Sequence, residues 1–171
     1  IIDFFLASFG LFVVSPLMVL IYFGLLITGG RPIFIQKRLG KSKVEFILYK
    51  FRTMKINTKS QPTHLVSLTQ VTSLGNVLRK SKLDELPQLW NVLLGDMSLV
   101  GPRPNLFNQQ ELILERDILC VYDVRPGITG LAQVNKIDMS KPKLLAKTDR
   151  KMIDTMTIDN YSDLGDWDGL R

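Results

Sequence analysis

A continuous apolar run near the N-terminus constrains this chain more than any other feature. From Phe4 to Ile27 the sequence reads FFLASFGLFVVSPLMVLIYFGLLI and contains no charged residue. About 20 apolar residues are enough for a helix to cross the hydrocarbon core of a bilayer. A signal peptide has a shorter apolar core and a small-residue cleavage site, which excludes that interpretation. The run therefore predicts a membrane segment within residues 1–30.

Ser15 and Pro16 lie at the middle of this run and leave two topologies open. Proline removes a backbone donor and is expected to kink the helix. The Ser15 hydroxyl can bond a carbonyl that the break leaves free. Each half would be about 18 Å long, too short to span alone. The residues alone fit a kinked spanning helix and a re-entrant hairpin about equally well.

Charge places the rest of the chain relative to this segment. The five basic residues that follow it predict a cytoplasmic domain close to anionic headgroups: Arg31, Lys37, Arg38, Lys41 and Lys43. The net charge of +6 also favours an anionic partner. Nucleic acid is a poor candidate, because the positive charge adjoins a membrane segment and no nucleic-acid-binding motif occurs. Since the first residue is Ile1 and not methionine, we expect the chain to be truncated.

The single cysteine, Cys120, and the single histidine, His64, limit the available chemistry. They exclude an intrachain disulfide and a metal site built from cysteines or several histidines. Any catalysis must therefore use carboxylates, hydroxyls, lysines and arginines.

Beyond residue 30 the periodicities predict a β-hairpin followed mainly by helices. Two β-branched and aromatic runs flank residues 39–42, residues 55–70 form a polar loop, and VRPGITGLAQV is a turn leading to a strand. Helices are predicted in TSLGNVLRKS, from Leu86 to a stop at Gly95, at 107–119 and, basic and amphipathic, at 141–156.

Two adjacent carboxylates, Asp84 and Glu85, precede Pro87 in the segment SKLDELPQLWNVLLGDMSLVGPRPN, residues 81–105. Proline favours the first turn of a helix. One interpretation makes Asp84 an N-cap and lets Glu85 interact with the helix dipole. The other is functional: helix-entrance N–H groups bind phosphate, and one or two carboxylates beside phosphates hold Mg²⁺.

Arginines on rigid loops favour the functional interpretation. Arg-Pro occurs at 31–32, 103–104 and 125–126, and GPRPN and RPGITG surround Arg103 and Arg125 with prolines and glycines. A rigidly held arginine suits bidentate phosphate binding. Together with the carboxylate pair, these loops predict a pyrophosphate site.

The order of four segments resembles the bacterial sugar transferases, the monotopic phosphoglycosyl transferases that begin glycoconjugate assembly. The resemblance covers roughly residues 1–160 and rests on RPIFIQKRLG, YKFRTM, LRKSKLDELPQLWNVLLGDMSLVGPRP and VRPGITGLAQV. It implies an α+β fold in which a small, mostly helical cytoplasmic domain with a short β-hairpin, residues 31–160, is attached to a re-entrant membrane helix, residues 1–30. Ser15 and Pro16 would be its break, and residues 161–171 a polar tail.

The resemblance also implies the chemistry. Asp84 would attack the β-phosphorus of a UDP-sugar and expel UMP, and the phosphosugar would pass to undecaprenyl phosphate. Glu85 would help to hold Mg²⁺, with Asp84, or deprotonate the acceptor. The residues expected near the substrate phosphates are Lys50, Arg52, Arg79, Arg103, Arg125 and Gln133. The implied location is the cytoplasmic face of the bacterial inner membrane, with membrane lipids as partners and a homodimer as a possible assembly.

Some positions depart from the family pattern. Lys82 stands where serine is frequent, Leu131 where tryptophan is frequent, and NKIDMS, residues 135–140, replaces a frequent Asn-Gly-Arg sequence. The tail after Ile158 does not resemble the usual closing helix. These changes leave the sugar open, with a preference for an N-acetylated amino sugar over a hexose.

Two alternatives carry different expectations. A non-catalytic, membrane-anchored basic module would bind a polyanion or an assembly partner and use Asp84 and Glu85 only as caps. A conventional glycosyltransferase would release UDP, but nothing in the sequence resembles a separate nucleotide-sugar domain.

Overall fold

A computed structural model describes residues 1–29, 31–55, 71–137 and 140–158 of the protein. Residues 56–70 of the predicted polar loop and the tail at 161–171 lie outside this range. The helices are α1 (Ile2–Ile27), α2 (Ser73–Ser81), α3 (Gln88–Leu93), α4 (Gln110–Ile118), α5 (Leu131–Val134) and α6 (Pro142–Ile158). The strands are β1 (Ile33–Leu39), β2 (Glu45–Phe51), β3 (Ser98–Val100) and β4 (Gly127–Thr129). The α+β class, mostly helical with small sheets, is confirmed.

Helix α1 is the membrane segment predicted from the sequence, and it runs continuously through Pro16. In a regular helix the N–H of residue 16 would donate to the carbonyl of residue 12. Proline lacks that N–H, and the Ser15 hydroxyl donates instead to the Phe12 carbonyl at 2.9 Å. The Ser15 hydroxyl bonds the free carbonyl as predicted, but α1 continues through the predicted break at Ser15 and Pro16. By length and composition α1 is able to cross a membrane, and most of its apolar side chains are exposed.

Both ends of α1 contact the rest of the protein. Near its start the Asp3 carboxylate accepts hydrogen bonds from the Ser98 hydroxyl at 2.7 Å and the Leu99 amide at 3.4 Å. Just beyond its end the Arg52 guanidinium donates to the Gly29 carbonyl and, at 3.5 Å, to the Thr28 hydroxyl. The helix therefore lies along the globular part and does not project away from it.

The main core lies between α1, the hairpin and α3. Strands β1 and β2 pair antiparallel with Arg38 opposite Phe46 and Phe34 opposite Lys50, which confirms the predicted hairpin. Because side chains alternate along a strand, Lys50 shares a face with Phe46 and Leu48. These two apolar residues are buried with Ala7, Val92 and Met97, whose packing joins α1, β2 and α3. The hairpin thus directs Lys50 toward the interior.

The chain segments after α3 differ partly from prediction. Strands β3 and β4 form a parallel pair that the sequence did not predict. A Cβ at Gly127 would lie 2.0 Å from the Gly101 nitrogen, so this close crossing requires glycine. In VRPGITGLAQV, strand β4 ends at Thr129. The prediction of a strand beyond this residue is therefore wrong. The amides of Gln133 and Val134 donate to the Gly130 carbonyl and wind the chain into α5.

The remaining predicted helices are confirmed, with shifted boundaries. Thr72 caps α2 by accepting a hydrogen bond from the Gly75 amide at 2.9 Å. Helix α3 is shorter than the pattern beginning at Leu86, and Gly95 follows its end at φ +81°. Helices α4, α5 and α6 share a second core made by Leu112, Ala132 and Leu145.

Substitution of Asn91 by alanine should destabilise the fold. The fully buried amide of Asn91 accepts from the Tyr49 amide at 3.2 Å and donates to the Ile47 carbonyl at 2.6 Å. Its loss leaves the Tyr49 amide and the Ile47 carbonyl of β2 without this partner, which predicts a loss of about 2–4 kcal/mol in the free energy of unfolding. Denaturant unfolding in detergent measures this loss. Asn76→Ala, at an exposed position on α2, is the matched control, and equal stability of the two variants would contradict the prediction.

Candidate active site

The two carboxylates lie in a single 3₁₀ turn, Leu83–Glu85, between α2 and α3. Both residues are buried, with 9% of Asp84 and 8% of Glu85 exposed. Neither caps a helix: Pro87 occupies the N-cap position of α3, and no side chain bonds there. The capping interpretation is therefore wrong. The amides of Glu85 and Leu86 are used within the turn, so side chains must supply the positive charge of the site.

Glu85 joins three separate parts of the chain. Its Oε1 accepts a hydrogen bond from Lys50 Nζ at 3.0 Å and another from Arg103 NH2 at 2.6 Å. Burial by itself raises the pKa of Glu85, but the charges of Arg103 and Lys50 outweigh burial and lower the pKa to about 2. Glu85 is therefore ionised at neutral pH and is a weak base.

Arg38 belongs to the same cluster, although the sequence interpretation assigned it only to the membrane surface. Its guanidinium donates to Gln36 Oε1 at 2.6 Å and to the Pro104 carbonyl at 3.2 Å. Burial and the charge of Arg103 lower the pKa of Arg38 to about 10, against the opposing effect of Glu85. The strand alternation that puts Arg38 opposite Phe46 was the available signal for this inward position.

The surroundings of Lys50 weaken its hold on a proton. Burial lowers the pKa of Lys50 to about 8, with Arg103 adding to the effect and Glu85 opposing it. Three buried or half-buried cations, Arg38, Lys50 and Arg103, thus surround one carboxylate. The excess positive charge suits a ligand that carries phosphates.

Asp84 differs from Glu85 because its carboxylate has no hydrogen bond or ion pair with any residue the structure describes. Burial raises its pKa and the charge of Glu85 raises it further, while Lys50, Arg79 and Lys82 act in the opposite direction. An unpaired carboxylate beside a cationic cluster can attack or coordinate a ligand. The structure therefore separates the roles of the two neighbouring acids.

The other residues predicted to bind phosphates have weaker links to Asp84 and Glu85 than Lys50 and Arg103 have. Arg79 lies near Asp84, and its Nε donates to the Thr53 hydroxyl at 2.8 Å. Arg52 bonds the end of α1, and Gln133 donates to the Ile128 carbonyl at 3.3 Å. The side chain of Arg125 has no hydrogen bond with a described residue. No hydrogen bond joins Arg52, Arg125 or Gln133 to either carboxylate, so their role at the phosphates stays a prediction.

The donor set fits Mg²⁺ better than a metal that needs a complete protein cage. Asp84 offers an unpaired carboxylate, and Glu85 keeps Oε2 while Oε1 is taken by cations. Within the described ranges no cluster of three or more acidic, histidine or cysteine side chains is placed to hold a metal. Mg²⁺ is commonly held by one or two carboxylates together with water and substrate phosphates.

Comparison with known proteins assigns the chain to a family. The bacterial sugar transferase family matches residues 1–168, and the chain belongs to this family. A UDP-glucose:undecaprenyl-phosphate glucose-1-phosphate transferase of Xanthomonas campestris pv. campestris is 37% identical over 163 residues, which cover 92% of this chain and 34% of that protein.

Two further relatives extend the comparison. An uncharacterized sugar transferase, EpsL, of Bacillus subtilis is 47% identical over 107 residues, covering 62% of this chain and 52% of EpsL. A UDP-N-acetylgalactosamine-undecaprenyl-phosphate N-acetylgalactosaminephosphotransferase of Aeromonas hydrophila is 43% identical over 112 residues, covering 61% of this chain and 26% of that protein. The chain thus spans between about a quarter and a half of the length of these relatives.

The ion pairs of Glu85 predict a pH dependence of stability. The pKa of Glu85 is about 2 in the folded protein, below the ordinary value of 4.5. These ion pairs therefore stabilise the fold fully above pH 4.5 and cease to do so as the pH falls toward 2. Such a shift corresponds to about 3 kcal/mol. Glu85→Gln should accordingly lose less stability than the wild type over this interval, as measured by denaturant unfolding at several pH values.

Glu45→Gln serves as the control for that measurement. Glu45 forms an exposed ion pair with Lys37 at 3.0 Å, and exposed pairs contribute little to stability. Its variant should follow the wild-type pH dependence. Parallel curves for Glu85→Gln and the wild type would contradict the assignment of buried ion pairs to Glu85.

Proposed function

We propose that this protein is a phosphoglycosyl transferase. It moves a sugar-1-phosphate from a UDP-sugar to undecaprenyl phosphate and releases UMP. The observation that carries the proposal is the unpaired, buried carboxylate of Asp84 beside the cluster of Glu85, Lys50 and Arg103. Family membership and the activities for which the Xanthomonas and Aeromonas relatives are named support the same reaction class.

The first step is a displacement at phosphorus. A carboxylate oxygen of Asp84 attacks the β-phosphorus of the UDP-sugar, and the bond from that phosphorus to the bridging oxygen breaks. UMP leaves with the electron pair, and the sugar phosphate remains on Asp84 as an acyl phosphate. Positioning and charge neutralisation supply most of the catalysis of such a transfer, which is the role we assign to Lys50 and Arg103.

The second step regenerates the enzyme. A phosphate oxygen of undecaprenyl phosphate attacks the phosphorus of the acyl phosphate, and the bond to Asp84 breaks. The product is an undecaprenyl diphosphate sugar, and Asp84 returns as a carboxylate. Glu85 holds the two cations in both steps, since its Oε1 is already bonded to each.

Mg²⁺ is the cofactor we propose, held by Asp84 and the free oxygen of Glu85. When bound, it would neutralise charge on the substrate phosphates. Arg79, whose charge acts on Asp84, and Arg38, which interacts electrostatically with Arg103 and Glu85, add fixed positive charge. Arg52, Arg125 and Gln133 remain proposed contacts to the outer parts of the substrates.

We further propose that α1 enters and leaves the bacterial inner membrane on the cytoplasmic face. The contacts of Asp3 with Ser98 and of Arg52 with Gly29 support this path, because both ends of α1 adjoin the same globular part. A helix that crossed the bilayer would place its ends on opposite sides. A shallow α1 would let the polyprenyl tail stay in lipid while its phosphate reaches Asp84.

The sugar is not decided by family membership, because the relatives named above act on glucose in one case and N-acetylgalactosamine in another. Of the changed segment at 135–140, residues 138 and 139 lie outside the described range. We keep an N-acetylated amino sugar as the proposed substrate, and a panel of donors tests it.

Replacement of Asp84 by asparagine should abolish nucleotide release. Wild type in detergent, with Mg²⁺, undecaprenyl phosphate and a panel of UDP-sugars, should release UMP from its donor. Asp84→Asn should be folded but lose at least about 10⁴-fold in rate, because asparagine cannot form the acyl phosphate. Chelation of Mg²⁺ should stop wild-type release, and added Mg²⁺ should restore it. Chromatography distinguishes UMP from UDP.

Two results of that experiment would contradict the proposal. Release of UDP would mean transfer of the sugar without its phosphate. Full activity of Asp84→Asn would exclude Asp84 as the nucleophile. Asp117→Asn, at an exposed residue paired with Lys43, is the matched control and should keep wild-type activity.

A cysteine at position 2 tests the path of α1. In a Cys120→Ser background, Ile2→Cys should react with a membrane-impermeant maleimide only from the cytoplasmic side. The exposed Ile2 side chain makes this position accessible. The control is Lys41→Cys, in the hairpin turn, which should label from the same side. Labelling of position 2 from the periplasmic side would establish a spanning helix.

A further inference from the structure

A second buried ion pair lies apart from the carboxylate turn. Arg116 of α4 donates through Nε and NH2 to Asp149 Oδ2 of α6, at 3.0 and 2.7 Å. The side chains are 2% and 1% exposed. A buried ion pair is weak evidence for stability, because desolvation offsets much of the attraction. The role of this ion pair is therefore inferred from the other hydrogen bonds of Arg116.

The third nitrogen of Arg116 reaches the loop that carries Arg103. Its NH1 donates to the Arg103 carbonyl at 2.8 Å and to Asn105 Oδ1 at 3.1 Å. The Tyr122 hydroxyl donates to the same Asn105 oxygen at 2.9 Å. One guanidinium thus connects Asp149 on α6 to the backbone and a side chain of this loop.

The loop depends on such contacts because of its own composition. Neither Pro102 nor Pro104 has an N–H to donate. Three successive carbonyls are bonded from outside instead: that of Pro102 by the Gly127 amide at 2.9 Å, that of Arg103 by Arg116, and that of Pro104 by Arg38. The backbone position of Arg103 is therefore set by neighbouring elements.

That backbone position decides where the guanidinium of Arg103 lies. Its NH2 is 2.6 Å from Glu85 Oε1, and this pair adjoins Asp84. A displacement of the loop by an ångström would separate the two groups. Arginine suits the linking role of Arg116, because its planar fork bonds a carboxylate and a carbonyl at once, which a single ammonium does less well.

We propose that Arg116 and Asp149 are positioning residues that fix Arg103 beside the catalytic carboxylates. They do not contact the site themselves and act on it only through the loop at 102–105. The proposal rests on the proposed function for its effect on turnover. Its structural part, the restraint of the loop, stands independently of any activity.

The test replaces the ion pair by apolar residues. Arg116→Met with Asp149→Leu removes both charges, and apolar replacements of buried pairs often preserve stability. The matched control is Arg150→Met with Asp154→Leu, which removes a half-exposed ion pair at 2.7 Å on the same helix. Hydrogen exchange by mass spectrometry and UMP release are measured for both double variants and the wild type.

The expected result has two parts. Amides of residues 98–106 exchange faster in the Arg116/Asp149 variant, while α1 and the hairpin keep wild-type exchange. Its kcat falls about 10- to 100-fold, the effect of a small misplacement, with a smaller change in KM. The control variant matches the wild type in both measurements. Unchanged exchange at 98–106 in the folded variant would overturn the proposal.

A double-mutant cycle separates positioning from a general structural role. If Arg116 acts through Arg103, adding Arg103→Gln to the Arg116/Asp149 variant should lower kcat by less than about twofold, well below its effect on the wild type. Independent, multiplicative effects would contradict the proposal. If the wild type itself releases no UMP, the proposed function fails, and the exchange measurement still decides the positioning role.

Milder variants keep the proposal testable if the double variant does not fold. Tyr122→Phe removes only the hydroxyl bonded to Asn105, and Arg116→Lys keeps a positive charge beside Asp149. Both should raise exchange at 98–106 and lower kcat, with the larger effect in Arg116→Lys. Wild-type exchange and kcat in both would overturn the proposal.

Discussion

The buried ion pairs of Glu85 are the interaction on which the arrangement of the site depends. Lys50 comes from strand β2, Glu85 from the turn before α3, and Arg103 from the loop after β3, yet all three meet at one carboxylate oxygen. Without Glu85, the buried cations would face one another across a medium of low polarity, where like charges repel strongly. Glu85 therefore makes a dense positive cluster possible and leaves the neighbouring Asp84 unpaired.

The site is assembled from parts that are individually unstable, so each depends on tertiary support. The two-stranded hairpin is held by packing of Phe46 and Leu48 against α1 and α3, since an isolated hairpin is marginal in water. The loop around Arg103 contains two prolines without an N–H and is held by Arg116 and Arg38. Rigid supports of this kind place charged groups accurately, as the proposed phosphoryl transfer requires.

Helix α1 combines an apolar surface that suits a membrane with contacts to the globular part. Its exposed apolar side chains face away from the globular part, while Ala7, Ile21 and Leu25 are buried in it. The bond from the Ser15 hydroxyl to the Phe12 carbonyl lets the helix carry Pro16 without an unpaired acceptor at that position. A polar group left unpaired in lipid would cost several kcal/mol. Ser15 therefore stabilises the helix at the position where Pro16 removes a backbone hydrogen bond.

The sequence by itself determined the long apolar helix at the N-terminus, the hairpin, the positions of most helices and the adjacent carboxylates Asp84 and Glu85. These features follow from local properties: hydrophobic runs, strand alternation and the resemblance carried by contiguous motifs. Local patterns also allowed the wrong interpretation of Asp84 as a helix cap. A carboxylate before a proline has the same sequence signature whether it caps a helix or occupies a 3₁₀ turn.

Only the tertiary structure decided which charges meet. Arg38 and Arg116 look like ordinary surface arginines in the sequence, but the packing of β1 on the core half-buries Arg38 and that of α4 on α6 buries Arg116. Arg52 was expected near the phosphates, and its hydrogen bonds lie at the end of α1. Contacts between residues far apart in the chain depend on how elements pack, and no local spacing encodes that geometry.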